Sequence, residues 1–192
     1  MQPNDLLRVL HTAEKLKDTT RHCYTSGGRH ESVAEHSWRL ALMAFFLRDE
    51  FPQADMDKVL RMCLIHDLGE CFTGDIPSFN KTAADEEQED RLLHEWVDSL
   101  PAPYAREMHE LYREMSALET EEAKIYKALD KLEAVIQHNE SDLSTWTENE
   151  YSLNLTYADS NVAFSPYLTT LRQAIRRETE EKIQNEKGGA KS

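Results

Sequence analysis

The chain has 192 residues, 40% of them hydrophobic, which is enough for one sizeable core and too little for two comfortable domains. Its 36 acidic residues outnumber 22 basic ones and give a formal net charge of -14, which argues against nucleic acid or an anionic membrane surface as a partner. The three cysteines form no CxxC pair, and the N-terminus has no uninterrupted apolar run, so we expect a cytoplasmic protein without disulfides, signal peptide or membrane span.

Apolar residues recur at helical spacing along most of the chain, and no segment of useful length alternates with period two. We therefore predict an all-α fold, a single-domain helical bundle over residues 1–187 with a disordered tail at 188–192. The first helix is predicted at about 5–17, and a loop rich in Thr, Ser and Gly follows it. Ser32-Val-Ala-Glu35 has the pattern of a capping box, which predicts that a second helix begins there and continues to about residue 50.

Asp55 is the predicted cap of a third helix, which ends in the stretch LIHDLGECFTGDIP at 64–77. Residues 141–164 are predicted to form a long ordered loop, because they are too apolar for a free linker. The remaining helices are predicted at about 82–99, 103–115, 119–139 and 166–185.

Four polar side chains interrupt apolar helices with metal-binding chemistry: His36, His66, Asp67 and Asp130. Burying such groups is costly unless each is paired or bound to a metal. Taken singly, each also has an ordinary explanation, such as a packed histidine, or an ion pair between Asp130 and a neighbouring lysine. As a set, two imidazoles and two carboxylates suit Mn, Fe, Co, Ni or Zn better than Ca.

The order His, then His-Asp, then Asp, each within an apolar helix, resembles the HD-domain metal-dependent phosphohydrolases. The phrases ESVAEHS, HDLGE…TGDIP and KALDKLE are similar to the branch that contains the bacterial 5′-deoxynucleotidases and their eukaryotic relatives, over roughly residues 1–140. The resemblance implies a bundle of the HD-domain type, commonly a homodimer. It also implies one divalent transition metal ion per chain, coordinated by His36, His66, Asp67 and Asp130.

Glu70 and Asp75 are the predicted catalytic residues. The resemblance implies that Glu70 is the catalytic carboxylate, and its position one turn beyond His66 agrees, although a surface carboxylate at a helix end would look the same. Asp75 falls where this family contacts substrate or assists proton transfer, although Gly-Asp-x-Pro is also ordinary turn chemistry. The residues expected to line the same pocket are Ile76, Pro77 and Ser78.

Arg21 is the predicted cation for the phosphate, because a protein this acidic needs a local positive charge and a guanidinium grips two phosphate oxygens at once. Arg29 and Lys81 are weaker candidates. In the deoxynucleotidases a tryptophan associated with choosing deoxyribose follows the corresponding arginine, whereas His22 follows it here. His22 is a candidate substrate-binding residue that either stacks on sugar or base or is merely exposed, and the choice between ribose and deoxyribose stays open.

We therefore expect a phosphohydrolase that releases inorganic phosphate from (deoxy)nucleoside 5′-monophosphates by direct in-line attack of water. One alternative is an HD-domain hydrolase of nucleoside triphosphates or cyclic phosphodiesters. A second is a di-iron oxygenase of the HD type, for which His94 and His109 would supply further ligands. A third is a binding module that uses a metal only to stabilise its fold.

Overall fold

The computed structural model describes residues 1–77 and 80–189, with the backbone alone for 186–189. Two short antiparallel strands, β1 (Thr20–Tyr24) and β2 (His30–Ser32), precede most of the helices. Three 3₁₀ turns lie at Glu14–Lys17, Arg48–Glu50 and Leu143–Thr145. The α-helices are α1 (Pro3–Ala13), α2 (Val33–Leu47), α3 (Met56–Ile65), α4 (Glu70–Thr73), α5 (Ala83–Asp98), α6 (Ala102–Ala117), α7 (Glu121–Glu140), α8 (Glu150–Thr156), α9 (Asp159–Val162) and α10 (Pro166–Gly189).

Helix α7 is the centre of the bundle. The helices α2, α3, α6, α9 and α10 all pack against it, and half of its twenty residues are buried. A helix with apolar contacts on so many sides belongs in a core rather than on a surface. The residues of the main core that are fully shielded from solvent include Leu40, Val59, Met62, Ile125, Leu129, Leu132 and Val135.

The two helices that lead into the candidate site begin where the sequence predicts. Ser32 Oγ accepts a hydrogen bond from the Glu35 backbone N–H, and the Glu35 carboxylate accepts one from the Ser32 N–H, so the capping box is confirmed. Asp55 accepts a hydrogen bond of 2.9 Å from the Lys58 N–H and caps α3, also as predicted. These caps fix the register of the helices that carry His36 and His66.

The β-hairpin occupies the segment between the first two helices, where the sequence analysis predicts a loop. Thr20 pairs with Ser32 and Tyr24 with His30, and Gly28 closes the turn with a φ of +82°. Five and three residues are too few for an alternating pattern to stand out, so the strands were missed. The all-α class is confirmed, with this hairpin as its one strand element in the described residues.

The prediction of a loop over 141–164 is wrong, because this segment holds a 3₁₀ turn and the helices α8 and α9. These helices have seven and four residues, which is too short for a hydrophobic period to be read from the sequence. Ala158, with a φ of +71°, separates them. Helix α8 also buries polar residues, Glu150 and Asn154, which inverts the usual pattern of an amphipathic helix.

The last helix continues to Gly189, beyond the predicted end near residue 185. Residues 190–192 of the predicted tail lie outside the described residues. Among the helices of the described chain, none combines the length and the apolar composition that crossing a bilayer requires.

Candidate metal centre and the adjoining cavity

Three helical regions bring the four predicted ligands together: α2 carries His36, the end of α3 carries His66 and Asp67, and α7 carries Asp130. His66 Nε2 lies 3.2 Å from His36 Nε2 and 2.9 Å from Asp67 Oδ2. Asp130 Oδ1 lies 3.3 Å from His36 Nε2. Neighbouring ligands of an ion bonded at about 2.0 to 2.2 Å are about 3.0 to 3.5 Å apart, so the spacing fits a shared cation.

Hydrogen bonds orient both imidazoles so that Nε2 faces the cluster. His66 Nδ1 lies 2.9 Å from the Cys63 carbonyl oxygen, which fixes the proton on Nδ1. His36 Nδ1 contacts Glu133 in the same way. The ligand atoms of His36, His66 and Asp67 all lie within 4.8 Å of one another. These nitrogen and oxygen atoms are a donor set for a divalent transition metal. The contacts that orient the two histidines, to the Cys63 carbonyl and to Glu133, are already formed.

The two aspartates are held ionised by their neighbours. Burial acts to raise the pKa of Asp67, but His66 and His36 outweigh it and lower the pKa. Burial likewise acts to raise the pKa of Asp130, but the Lys127 ammonium, 2.9 Å from Asp130 Oδ2, holds it well below its usual range. Asp130 is therefore an ion-pair partner of Lys127, as its ordinary explanation predicts, and also lies in the cluster.

Glu133 is a candidate site residue that was not predicted from the sequence. It is fully buried one turn beyond Asp130, and it accepts hydrogen bonds from Arg21 Nη1 at 3.2 Å and Arg39 Nε at 2.6 Å as well as contacting His36. Burial acts to raise the pKa of Glu133, but His36, Arg21 and Arg39 lower it to about 2. A carboxylate three residues after Asp130 in an apolar helix was the available signal.

Glu133 and Asp130 also set the protonation of His36. Burial and Arg21 act to lower the pKa of His36, but Glu133 and Asp130 outweigh them and raise it to about 9. Because metal-ligating imidazoles must be deprotonated at the bonding nitrogen, a cation at this cluster competes with a proton on His36.

A cavity of about 270 Å³ adjoins the cluster, and Asp67 and Asp130 lie in its wall. Six of the other predicted site residues line it as well: Arg21, His22, Glu70, Asp75, Ile76 and Pro77. Ser78 lies outside the described residues. Lys81, Lys127 and Lys131 bring three further positive charges to the cavity wall, and they offset the local excess of carboxylates.

Glu70 begins the short helix α4 and lines the cavity. The alternative that it is a surface carboxylate is wrong, because it is only 7% exposed. Burial, together with Asp67, Asp75 and Glu89, raises the pKa of Glu70 to about 10. Its Oε2 has no hydrogen-bond partner among the described residues, so this oxygen is available to a ligand.

Asp75 follows Gly74, whose φ of +78° gives the turn that sends the chain back along the cavity. Burial raises the pKa of Asp75, with a further contribution from Asp67 that is opposed by Arg21. Asp75 therefore fits both interpretations of the Gly-Asp-x-Pro stretch: it follows a turn glycine, and it lines the cavity.

Arg21 lies at the cavity wall, but its Nη1 already donates to two carboxylates, Glu31 at 2.8 Å and Glu133 at 3.2 Å. The sequence analysis did not foresee this double pairing, because nothing in the sequence brings β1 and α7 together. Arg29, a weaker candidate, pairs with Glu35 at the surface instead.

A second polar group in the cavity wall, called the far end below, consists of His22 on β1, His138 at the end of α7, and Glu150 and Asn154 on α8. Glu150 Oε1 lies 2.9 Å from His22 Nε2 and 3.3 Å from His138 Nε2. Burial lowers the pKa of His138 to about 4, with Glu150 opposing the shift and His22 and Arg21 adding to it. The sequence pattern does not single out His138 and predicts a loop at Glu150, so this group was missed.

His94 and His109, the possible extra ligands of a di-iron site, are on α5 and α6 and contact each other, with their Nδ1 atoms 3.0 Å apart. Asp98 accepts a hydrogen bond from His109 Nε2 at 2.7 Å. Neither belongs to a group of side chains with metal-ligand spacing among the described residues.

Comparisons with known proteins place these residues in a family context. A family model described as HD domain matches residues 13–172. The 5′-deoxynucleotidase HDDC2 of Mus musculus is 33% identical over 139 residues, 70% of this chain and 69% of the relative, and the Homo sapiens protein of the same name is 32% identical over 139 residues, 70% and 67%. A solved structure of a predicted metal-dependent phosphohydrolase from Magnetospirillum magnetotacticum has a TM-score of 0.76, 27% identity and coverage of 93% of each chain.

Proposed function

Since this chain belongs to the HD domain family, we propose that it is a metal-dependent phosphomonoesterase that releases inorganic phosphate from (deoxy)nucleoside 5′-monophosphates. The observation that carries the proposal is the group of His36, His66 and Asp67, with Asp130 Oδ1 3.3 Å from His36 Nε2 and 3.9 Å from His66 Nε2, beside a cavity with several lysines in its wall. The names of the two mammalian relatives support the nucleotide as substrate.

We assign one divalent ion per chain, drawn from Mn, Co, Ni, Fe or Zn, to His36, His66, Asp67 and Asp130. When bound, such an ion acts as a Lewis acid on a phosphoryl oxygen and activates water. Lys127 bridges this cluster and the cavity, because it pairs with Asp130 and also lines the wall. We assign Lys127 and Arg21 to the charge that develops on the phosphoryl oxygens.

Glu70 and Asp75 are the proton-handling groups in this proposal. Glu70 lines the cavity with a raised pKa and an oxygen that no described residue engages, so its carboxyl is suited to protonating the leaving 5′-oxygen. Asp75, in the same wall, is suited to orienting the attacking water. Attack is then direct and in line, without a covalent enzyme intermediate.

The experiment measures phosphate release from nucleoside mono-, di- and triphosphates and cyclic phosphodiesters with added Mn or Co. We expect the 5′-monophosphates to be hydrolysed, with products of inorganic phosphate and nucleoside. Glu70→Ala is the inactive comparison, and Glu148→Gln, an exposed residue elsewhere, is the matched control that keeps full activity. Monophosphate turnover no greater than that of Glu70→Ala would end the proposal, and release of pyrophosphate or ring opening alone would favour the alternative hydrolases.

The chain is also proposed to form a homodimer in the cytoplasm. Helix α2 leaves four large apolar side chains on its outer face, with Trp38 63% and Phe46 72% exposed beside Leu42 and Phe45. The three cysteines are free and buried, which suits a reducing compartment. Light scattering is expected to give twice the chain mass, and Phe46→Glu is expected to shift it towards the monomer; a monomeric wild-type chain would refute the dimer.

A further inference from the structure

Helix α8 turns two polar side chains into the cavity. Glu150 and Asn154 are four residues apart and therefore lie on one face of the helix. They are 1% and 2% exposed, and both line the cavity. Polar groups this deeply buried normally have their hydrogen bonds satisfied inside the protein.

Each of the two side chains instead keeps one hydrogen-bonding atom unused among the described residues: Glu150 Oε1, an acceptor, and Asn154 Nδ2, a donor. The other oxygen of Glu150 is engaged, because Thr147 donates to it from its backbone N–H at 2.6 Å and from its hydroxyl at 2.9 Å. His22 Nε2 and His138 Nε2 lie 2.9 Å and 3.3 Å from Glu150 Oε1, within ion-pair distance, but neither contact is a hydrogen bond. The two hydrogen bonds from Thr147 therefore hold the carboxylate in one orientation in the cavity wall.

An acceptor and a donor without hydrogen bonds to described residues, on one face of α8 and in the wall of one cavity, are complementary to a hydroxyl group, which donates one hydrogen bond and accepts others. The carboxylate would receive the hydroxyl proton, and the amide N–H would donate to the hydroxyl oxygen. The nucleotide of the proposed function carries such groups on its pentose.

The position of this pair in the cavity favours the pentose over the base. His22 follows Arg21 directly on β1, where the rise is about 3.3 Å per residue. Arg21 contacts Glu133, which contacts the metal-cluster residue His36, while His22 contacts Glu150, and both Arg21 and His22 line the cavity; we therefore place Glu150 next to the phosphate end. In a 5′-nucleotide the group next to the phosphate is the pentose.

We propose that Glu150 and Asn154 form a subsite that binds a pentose hydroxyl of the nucleotide. The inference rests on the proposed function for the identity of the ligand, and it adds the residues that select the sugar. It assigns to α8 a role in specificity, separate from the cluster that carries the chemistry.

The test uses nucleosides, so that binding is measured without hydrolysis. Calorimetry is run with adenosine, 2′-deoxyadenosine, 3′-deoxyadenosine and 2′,3′-dideoxyadenosine on the wild-type chain, Glu150→Gln, Asn154→Leu and the exposed control Glu148→Gln. We expect the dideoxynucleoside to bind the wild-type chain about 10-fold or more weakly than the best hydroxyl-bearing nucleoside, since hydrogen bonds to charged groups are the stronger ones. The two singly deoxygenated nucleosides identify which hydroxyl is bound.

Glu150→Gln and Asn154→Leu are expected to reduce that preference to about 2-fold or less, whereas Glu148→Gln keeps it in full. Wild-type binding of all four nucleosides within about 2-fold, or no binding of any of them, overturns the subsite. An equal loss for all four in Glu150→Gln overturns it as well. The comparison of the four nucleosides on the wild-type chain does not depend on the folding of any variant. It can therefore overturn the subsite even when Glu150→Gln is unstable.

The same four sugars as 5′-monophosphates separate the two proposals. Phosphate release from none of them, together with the expected nucleoside preference, refutes the hydrolase and leaves the subsite standing. Phosphate release at equal kcat/KM from all four, without any preference in nucleoside binding, supports the hydrolase and refutes the subsite.

Discussion

The two ends of the cavity differ in how their charges are satisfied. At the metal end, Glu133 is matched by two arginines and a histidine, and Asp130 by a lysine. At the far end, Glu150 and Asn154 each leave an atom without a hydrogen bond among the residues described. A fully hydrogen-bonded network holds its members in one geometry, whereas a buried polar atom without a hydrogen bond is costly unless a ligand or water supplies one. On the two proposals above, the contrast predicts that the chemistry and the binding of the pentose depend on different residues of one cavity and are separable by mutation.

Asp130→Asn gives the largest expected effect and acts on the metal end alone. We expect kcat/KM to fall about 10³- to 10⁴-fold, because a catalytic ion supplies several kcal/mol of transition-state stabilisation. Metal content measured on the purified chain should fall in parallel, while nucleoside binding stays. The control is Asp49→Asn, at a residue whose side chain is 91% exposed. Full activity of Asp130→Asn would separate this aspartate from the catalytic centre.

Glu70→Gln is expected to lower kcat about 10²- to 10³-fold, the range of a lost proton donor, with metal content unchanged. The amide keeps the size of the carboxyl but has no proton to give to the leaving oxygen. Glu95→Gln, on the exposed face of α5, serves as the comparison. Loss of the metal together with the activity would mean that Glu70 is a ligand instead.

Glu133→Gln tests whether the matched network orients the metal ligand His36. We expect metal affinity to fall about 10- to 100-fold, the usual effect of removing a group that holds a ligating histidine. Glu140→Gln is a close control, because Glu140 lies on the same helix and also accepts from Arg39, but is exposed. Equal metal affinities of the two variants would show that the Glu133 contact with His36 is dispensable.

At the far end, His138 is expected to make the free energy of unfolding depend on pH. The pKa of His138 is about 4 in the fold, against about 6.5 when unfolded, so between these values the unfolded chain binds the extra proton. The contribution of His138 to the free energy of unfolding is therefore complete above about pH 6.5 and is lost as pH falls towards 4. Between pH 7 and pH 5 it should lower the free energy of unfolding by about 2 kcal/mol.

Denaturant unfolding of His138→Gln at both pH values checks this expectation. The variant should lose about 2 kcal/mol less than the wild-type chain over the same interval. Identical pH dependence in the two proteins would show that His138 is not held neutral by its surroundings, which include Glu150, His22, Arg21 and Glu133.

The same contrast explains what was predictable from the sequence. His36 and Asp130 lie on helices with clear caps and an apolar period, and His66 and Asp67 directly follow a third such helix, so these polar residues stand out. Glu133 shares one of those helices and was within reach of the same reasoning. Glu150 and Asn154 were not, because α8 has seven residues and buries its polar side, so neither period nor polarity marked it. Whether Arg21 lies beside Glu133 depends on a hairpin packing on α7, a long-range contact that no local pattern encodes.

The shared cation is tested most directly by anomalous diffraction from crystals of the wild-type chain soaked in Mn or Zn. We expect one strong anomalous peak per chain, at about 2.0 to 2.2 Å from Nε2 of His36 and His66 and from carboxylate oxygens of Asp67 and Asp130. A fully soaked crystal without a peak between these four side chains, or with its peak elsewhere, would contradict the proposed metal centre.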